Sequence, residues 1–284
     1  MAQTGSKASN SQHHLTDHYT KNYCEENIYW LALSLLEQSN LNSIFVVFIS
    51  NQSQQIPIWS QRSSTRPDKL AVWDYHVILL ALPSSGVTDN TTTRNNETQQ
   101  RESSPPLVFD LDSILPSPSP IADFIHHALV INSSKIKTET HRRLFRVVPA
   151  ASYLAHFSSD RSHMLKSNLL SKTDSERKNG FGGGGGNNWA AADARNIYTN
   201  EYMSPPPSYP CIVSSTGVAN TFPNYLEMPS YDQAVSNWKE SPLEKIIKNR
   251  ADGGGDAPLD VELSYGVVLT EDAFLEFATR ITVL

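Results

Sequence analysis

Cysteine is almost missing from this chain. Only Cys24 and Cys211 occur in 284 residues. Two cysteines cannot build a disulfide framework, and a reducing compartment is the natural setting. Positive charge is also scarce: 23 Lys and Arg stand against 29 Asp and Glu, a net charge of −6. Nucleic-acid binding needs a concentrated basic surface to displace counterions, so no nucleic-acid partner is expected. No apolar run approaches the ~20 residues that span a bilayer, so no membrane partner is expected either. The first fourteen residues, MAQTGSKASNSQHH, have no apolar core, and no secretory signal is expected from them. The Asn-x-Ser/Thr sequons at Asn51, Asn90, Asn96 and Asn132 therefore read as chance in a chain rich in Asn, Ser and Thr. Hydrophobic residues make up 39 % and charged residues 18 %. Both fall below the ~45–50 % and ~25 % of an average soluble domain. Part of the chain is therefore too polar to fold.

Four stretches carry that polarity. Residues 1–18 form a polar tail. Residues 84–106 hold one aliphatic side chain, Val87, too little apolar surface to offset chain entropy. Residues 165–204 contain Gly182–Gly186, a flexible linker by composition, and residues 240–258 contain Gly253–Gly255. What remains is roughly 180 residues, the size of one ordinary domain. The expected organisation is one domain over 19–284 with three flexible insertions and no internal repeat.

The remaining segments have clear periodicity. Residues 24–37 place Ile28, Leu31, Ala32, Leu35 and Leu36 on one stripe of a helix, with Asn22 as N-cap and Glu25 and Glu26 in the first turn. Ile44–Ile49 reads as a buried strand, and residues 55–59 as a shorter one with Pro57 at an edge or bulge. Residues 70–82 read as one long strand, apolar on both faces. Strands follow at 107–111, 145–148 and 265–269, with a helix at 121–129. Thr270 is expected to cap a last helix with Phe274, Phe277 and Ile281 inward. The sum is an α+β domain with a mostly antiparallel sheet.

Three residues carry candidate chemistry. Cys24 lies on the apolar stripe at the helix start, where the dipole and free N–H groups favour thiolate and the neighbouring acids oppose it. His76 sits in a buried strand, where an unpaired imidazole costs about 1–3 kcal/mol and so needs a partner. Asp110 and Asp112 share one face of their strand by its period of two, and either can supply a carboxylate. A cysteine nucleophile needs a base within hydrogen-bond reach, and the base an acceptor to orient it. Helix start, central strand and next strand supply these in the order Cys, His, Asp. The bland alternatives are a buried hydrophobic thiol, a core histidine and a solvated strand end. No Cys or His pair has convincing metal-ligand spacing, so no metal or other cofactor is expected. Trp59 and Trp73 read as core residues, Arg161 and His163 as a loop-ordering network, and residues 205–210 as a rigid proline strap.

The strings themselves resemble the protein N-terminal glutamine amidohydrolase family. They are Tyr23-Cys24-Glu25-Glu26-Asn27-Ile28, Val47-Phe48-Ile49-Ser50-Asn51, Ile56-Pro57-Ile58-Trp59, Val72-Trp73-Asp74-Tyr75-His76-Val77, Phe109-Asp110-Leu111-Asp112 and Phe145-Arg146-Val147-Val148. Two more follow in family order, Phe157 to Met164 and Pro205 to Ile212. WDYH and SDRSHM are polar-rich strings that packing alone would not dictate. The chain departs from the pattern in insertions near 84–106, 165–204 and 213–258. The resemblance implies a triad of Cys24, His76 and Asp110 on a compact α–β–α fold of papain and transglutaminase type. It implies deamidation of N-terminal Gln in proteins to Glu, a signal for the N-degron degradation route, in the cytosol, with the nucleus left open. The partners are then protein chains beginning with Gln. Apart from the resemblance, a monomer is expected, because no exposed apolar stripe remains once the core is assigned. An α-ammonium site needs acceptors, for which Glu25, Asp74 and Asp160 are candidates. The rival classes are another Cys–His–Asp enzyme, either a peptidase or a transglutaminase-like acyl transferase, and a catalytically dead adaptor.

Overall fold

The computed structural model describes residues 18–38, 43–82, 105–130, 139–166, 201–239 and 264–280. Helix α1 (Cys24–Gln38) leads into strands β1 (Ser43–Ser50), β2 (Ile56–Ile58), β3 (Ala71–Trp73), β4 (His76–Leu82), β5 (Leu107–Phe109) and β6 (Ser119–Pro120). The short helix α2 (Ile121–Phe124) runs on as a π-helical stretch, Ile125–Val130. Strand β7 (Leu144–Pro149), helices α3 (Ala150–His156), α4 (Phe222–Leu226) and α5 (Tyr231–Lys239), strand β8 (Val267–Thr270) and helix α6 (Glu271–Arg280) complete the order.

The main sheet has the order β6-β5-β4-β1-β7-β8, and every neighbouring pair is antiparallel. Its centre is β1, a run of β-branched and aromatic residues because both its faces are covered. Ile44, Val46 and Phe48 pack with α1, α3, α4 and α5 on one face. Phe45, Val47 and Ile49 pack with α2 and α6 on the other. The result is an α+β domain of three layers, helix on sheet on helix. Among the described residues no helix is long and apolar enough to cross a membrane.

Several expectations change. The segment 70–82 is two strands in two sheets: β3 pairs with β2, β4 pairs with β1, and Asp74 and Tyr75 break the run. The Asp74 carboxylate accepts the Tyr75 N–H and Ser50 Oγ donates to the Asp74 carbonyl, which turns the chain between them. His76 therefore opens its strand instead of sitting mid-strand. Strand β5 stops at Phe109, so Asp110 and Asp112 lie in a turn. The Asp112 N–H donates to Asp110 Oδ1 at 3.0 Å, and turn geometry brings the two acids together, not strand alternation. Asn22 is not the cap: α1 begins at Cys24, and Asn22 holds φ 68°, a left-handed conformation that Asn tolerates.

Helices α3, α4 and α5 were not foreseen, although α4 buries Phe222 and Tyr225 in the core. Thr270 caps α6 as expected, its Oγ1 accepting the Ala273 N–H; Ile281 lies outside the described residues. So do residues 1–17, most of 84–106, 167–200 and all of 240–258. The ends of the third polar stretch are described, and Leu165 and Tyr202 close it with an antiparallel bridge. The Asn51 amide donates to the carbonyls of Gln55, Thr140 and Arg142, so this sequon asparagine is committed to the fold.

Candidate active site

The antiparallel register of β4 and β5 carries the end of β5 toward the start of β4. That places Asp110 beside His76. His76 is fully buried, and its Nε2 donates to Asp110 Oδ1 at 2.9 Å. Asp110 Oδ2 accepts from Gln61 Nε2 at 3.0 Å. With the Asp112 N–H, three donors converge on this carboxylate. The geometry thus distinguishes the two acids that the sequence could not: Asp110 holds the imidazole, while Asp112 Oδ1 accepts the Tyr19 hydroxyl at 2.6 Å. The second ring nitrogen, His76 Nδ1, is buried with no hydrogen-bond partner, so the Cys24 thiol does not bond to it here; the thiol meets Glu25 Oε2 at 3.7 Å instead. Trp73 stacks on the imidazole at 5.4 Å and 17°, and so does more than fill the core.

Burial acts to lower the His76 pKa, but the charge and hydrogen bond of Asp110 outweigh it, and the imidazole is held above its ordinary value. Burial likewise acts to raise Asp110, and His76 and Gln61 overcome it, so the carboxyl is held low. The pair is electrostatically matched.

Cys24 stands at the first position of α1, nearly buried. Burial pushes its thiol well up, and Glu25 and Asp112 push it further; the Val77 backbone N–H, one residue past His76, acts the other way. Burial and carboxylates therefore oppose ionisation of the sulfur more than the helix start helps it. Glu25 lies fully buried, taking the Tyr75 hydroxyl on Oε2 at 2.9 Å. Its Oε1 lies 3.3 Å from His163 Nε2.

A cavity of about 500 Å³ opens beside these groups, lined by Cys24, Asp74, Tyr75, Asp112, His163 and Met203 among others, with no Lys or Arg among its described lining residues. Of the candidate acceptors, Asp74 lines this cavity, and Glu25 does not but bonds Tyr75, which does. Asp160 is not in the lining; it accepts from the Ser162 N–H and Asn220 Nδ2 and orders its loop. Arg161 binds both Glu26 oxygens at 2.9 Å and the carbonyls of Pro207 and Tyr209, which pins the proline strap. Donor atoms of His76, Asp110 and Asp112 lie within 4.8 Å of one another, the one such group among the described residues.

Gln61 and Tyr75 contribute to the site although neither is among the expected residues. Tyr75 lies inside the WDYH string, which was a signal. Gln61 had none, because its meaning lies in a contact 49 residues away.

Of the three candidate residues, Cys24 lines the cavity and His76 and Asp110 do not; thiol, imidazole and carboxylate together are the equipment for nucleophilic attack on a carbonyl carbon. An α+β fold that presents them at a helix start, a strand start and a turn is the frame of a hydrolase. The chain belongs to the N-terminal glutamine amidase family, which it matches over residues 19–277. It is 32 % identical over 222 residues to the protein N-terminal glutamine amidohydrolase of Arabidopsis thaliana, covering 77 % of this chain and 78 % of that one. It is 34 % identical to the proteins of the same name from Danio rerio, over 68 % of this chain and 71 % of that one, and Bos taurus, over 71 % and 73 %.

Proposed function

We propose that this protein hydrolyses the side-chain amide of an N-terminal Gln in proteins, giving Glu and ammonia, with Cys24 as nucleophile, His76 as base and acid, and Asp110 as orienter. One observation carries the reading. A fully buried histidine is anchored through Nε2 by a buried aspartate, while its Nδ1 is left without a partner. A histidine serving structure alone would satisfy both nitrogens.

The chemistry follows from these groups. His76 Nδ1 takes the Cys24 proton as the sulfur attacks the amide carbon. Free N–H groups at the start of α1, that of Cys24 included, stabilise the oxyanion. The imidazolium returns its proton to the departing nitrogen, and ammonia leaves a thioester. Water, deprotonated by His76, then releases Glu and restores the thiol. Asp110 holds the ring proton on Nε2 and stabilises the imidazolium. Asp74 on the cavity wall is the nearest candidate for the substrate's α-ammonium, with Glu25 bonded to Tyr75 of that wall. The three-layer architecture supports a relation to the papain and transglutaminase type. A cytosolic monomer whose product feeds the N-degron route completes the reading.

Peptides beginning with Gln, with acetylated Gln and with internal Gln test it through ammonia release. Only the first should react, and Cys24→Ala should abolish turnover. Equal release from internal Gln, or peptide cleavage, would favour an acyl transferase or a peptidase. Release surviving Cys24→Ala would remove the nucleophile.

A further inference from the structure

An acid beside the nucleophile is unexplained by the triad. Glu25 Oε2 accepts the Tyr75 hydroxyl at 2.9 Å and lies 3.7 Å from Cys24 Sγ as acceptor of the thiol proton. Its Oε1 is buried with no hydrogen-bond partner; His163 Nε2 comes to 3.3 Å without completing one. A carboxylate so placed opposes ionisation of the sulfur, the reverse of what a thiol nucleophile needs. Burial acts in the same direction, as do Asp112 and Asp74. Tyr19, Tyr75 and Tyr153 also face this region, and burial holds their hydroxyls neutral. Among the described residues, His163 lines the cavity, His76 lies beside Asp110, and Arg62, whose charge acts on Tyr19, donates its N–H to the Asp112 carbonyl and its Nε–H to that of Ser113 and does not line the cavity.

The substrate brings what the site lacks, if Cys24 is the nucleophile and an N-terminal Gln the substrate, as proposed above. In Gln the α-nitrogen is four bonds from the side-chain amide carbon, at most about 5 Å. A pose that delivers that carbon to the sulfur delivers an ammonium to the wall around it. Asp74 and Asp112 line that wall, as does Tyr75, whose hydroxyl donates to Glu25. Inside a filled cavity the field of the ammonium is weakly screened.

We propose that Glu25 keeps Cys24 protonated in the free protein, and that the α-ammonium of the arriving residue, by balancing Glu25, Asp74 and Asp112, releases the thiol proton to His76. The proton moves from Sγ to Nδ1, giving thiolate and imidazolium, and no other bond changes. Recognition of a free N-terminus then acts on reactivity as well as on binding.

The pH dependence of Cys24 alkylation by iodoacetamide tests this in the Cys211→Ser protein, with the label located by mass spectrometry. Glu25→Gln keeps the shape and an acceptor for Tyr75 but removes the charge. The alkylation midpoint should fall by about one pH unit. Alkylation at pH 7 should rise about threefold, tenfold more thiolate being discounted by its lower nucleophilicity. Tyr75→Phe removes the competing donor on Oε2 and should shift the midpoint upward. Packing damage would not move the two variants in opposite directions, and midpoints that stay put overturn the proposal. In the second arm, a Gln peptide is compared with its des-amino analogue. The analogue should lose at least tenfold in kcat at saturation, and the gap should narrow in Glu25→Gln. A rise in KM alone would make the ammonium an anchor only and overturn the gating. Alkylation uses no substrate, so a protein inert toward every Gln peptide would sink the amidase reading separately.

Discussion

Asp110→Asn separates charge from orientation at His76. In the native site Oδ1 accepts from both His76 Nε2 and the Asp112 N–H, and Oδ2 accepts from Gln61 Nε2. Asparagine must replace one of these acceptors by a donor. An NH2 at the Oδ1 position meets two N–H groups and drives the imidazole proton to Nδ1, where the ring can no longer accept from a thiol. An NH2 at the Oδ2 position opposes only Gln61, and Gln61 can turn over. Its Oε1 is buried and unpartnered, and the second contact of its Nε2, to the Trp59 carbonyl, is long at 3.3 Å. The second arrangement is the cheaper one. His76 then keeps its tautomer and loses only its counter-charge, so burial is free to disfavour the imidazolium. We expect kcat/KM to fall about 100-fold, or about 2.7 kcal/mol of transition-state stabilisation. Asp110→Ala removes charge and orientation together and should cost about 10⁴-fold. Ammonia release from a Gln-initiated peptide measures both, with thermal unfolding to show that each variant is folded. An asparagine variant as inactive as the alanine variant would refute the Gln61 exchange. Two variants within tenfold of the native protein would take Asp110 out of the catalytic reading.

The same pair sets a pH window for stability. His76 has a raised pKa, so its contribution is complete below the ordinary 6.5 and is lost as pH rises through the raised value. Asp110 has a lowered pKa, so its contribution is complete above the ordinary 3.8 and is lost as pH falls through the lowered value. Thermal unfolding across pH should show both losses, and Asp110→Asn should flatten both limbs; an unchanged profile would sever the link. Arg161→Leu leaves the fully buried Glu26 without its counter-charge and frees the proline strap. Urea unfolding should show a loss of about 3–5 kcal/mol, partly recovered by adding Glu26→Gln; a loss under 1 kcal/mol would contradict the assignment. Gly266→Ala places a Cβ 2.2 Å from the Val147 carbonyl oxygen at φ +74°. Strain and overlap should cost about 3 kcal/mol by the same measurement, and a neutral variant would mean that β7 and β8 are not held together here.

What could be read from the residues alone was what depends on local pattern. The apolar run of β1 and the stripe of α1 announce themselves, because a strand buried on both faces and a helix buried on one have distinct periods. The division of β3 from β4 does not, because Leu70–Leu82 is equally apolar whichever sheet each half joins. The deciding interaction, between Ser50 and the Asp74 carbonyl, spans 24 residues. Helices α4 and α5 are short, five and nine residues, so they do not stand out from the loop around them, and a few anchors such as Phe222, Tyr225 and Ala234 hold them. The two acids after Cys24 make the point at the site itself. On the sequence Glu25 and Glu26 are one feature, a pair of charges opposing thiolate. Successive helical residues point about 100° apart, and the fold gives the two separate tasks. Glu26 turns to Arg161 and anchors the strap. Glu25 turns to Tyr75 and Cys24, where a charge that hinders the sulfur in the empty site is well placed to answer to the charge of what enters it.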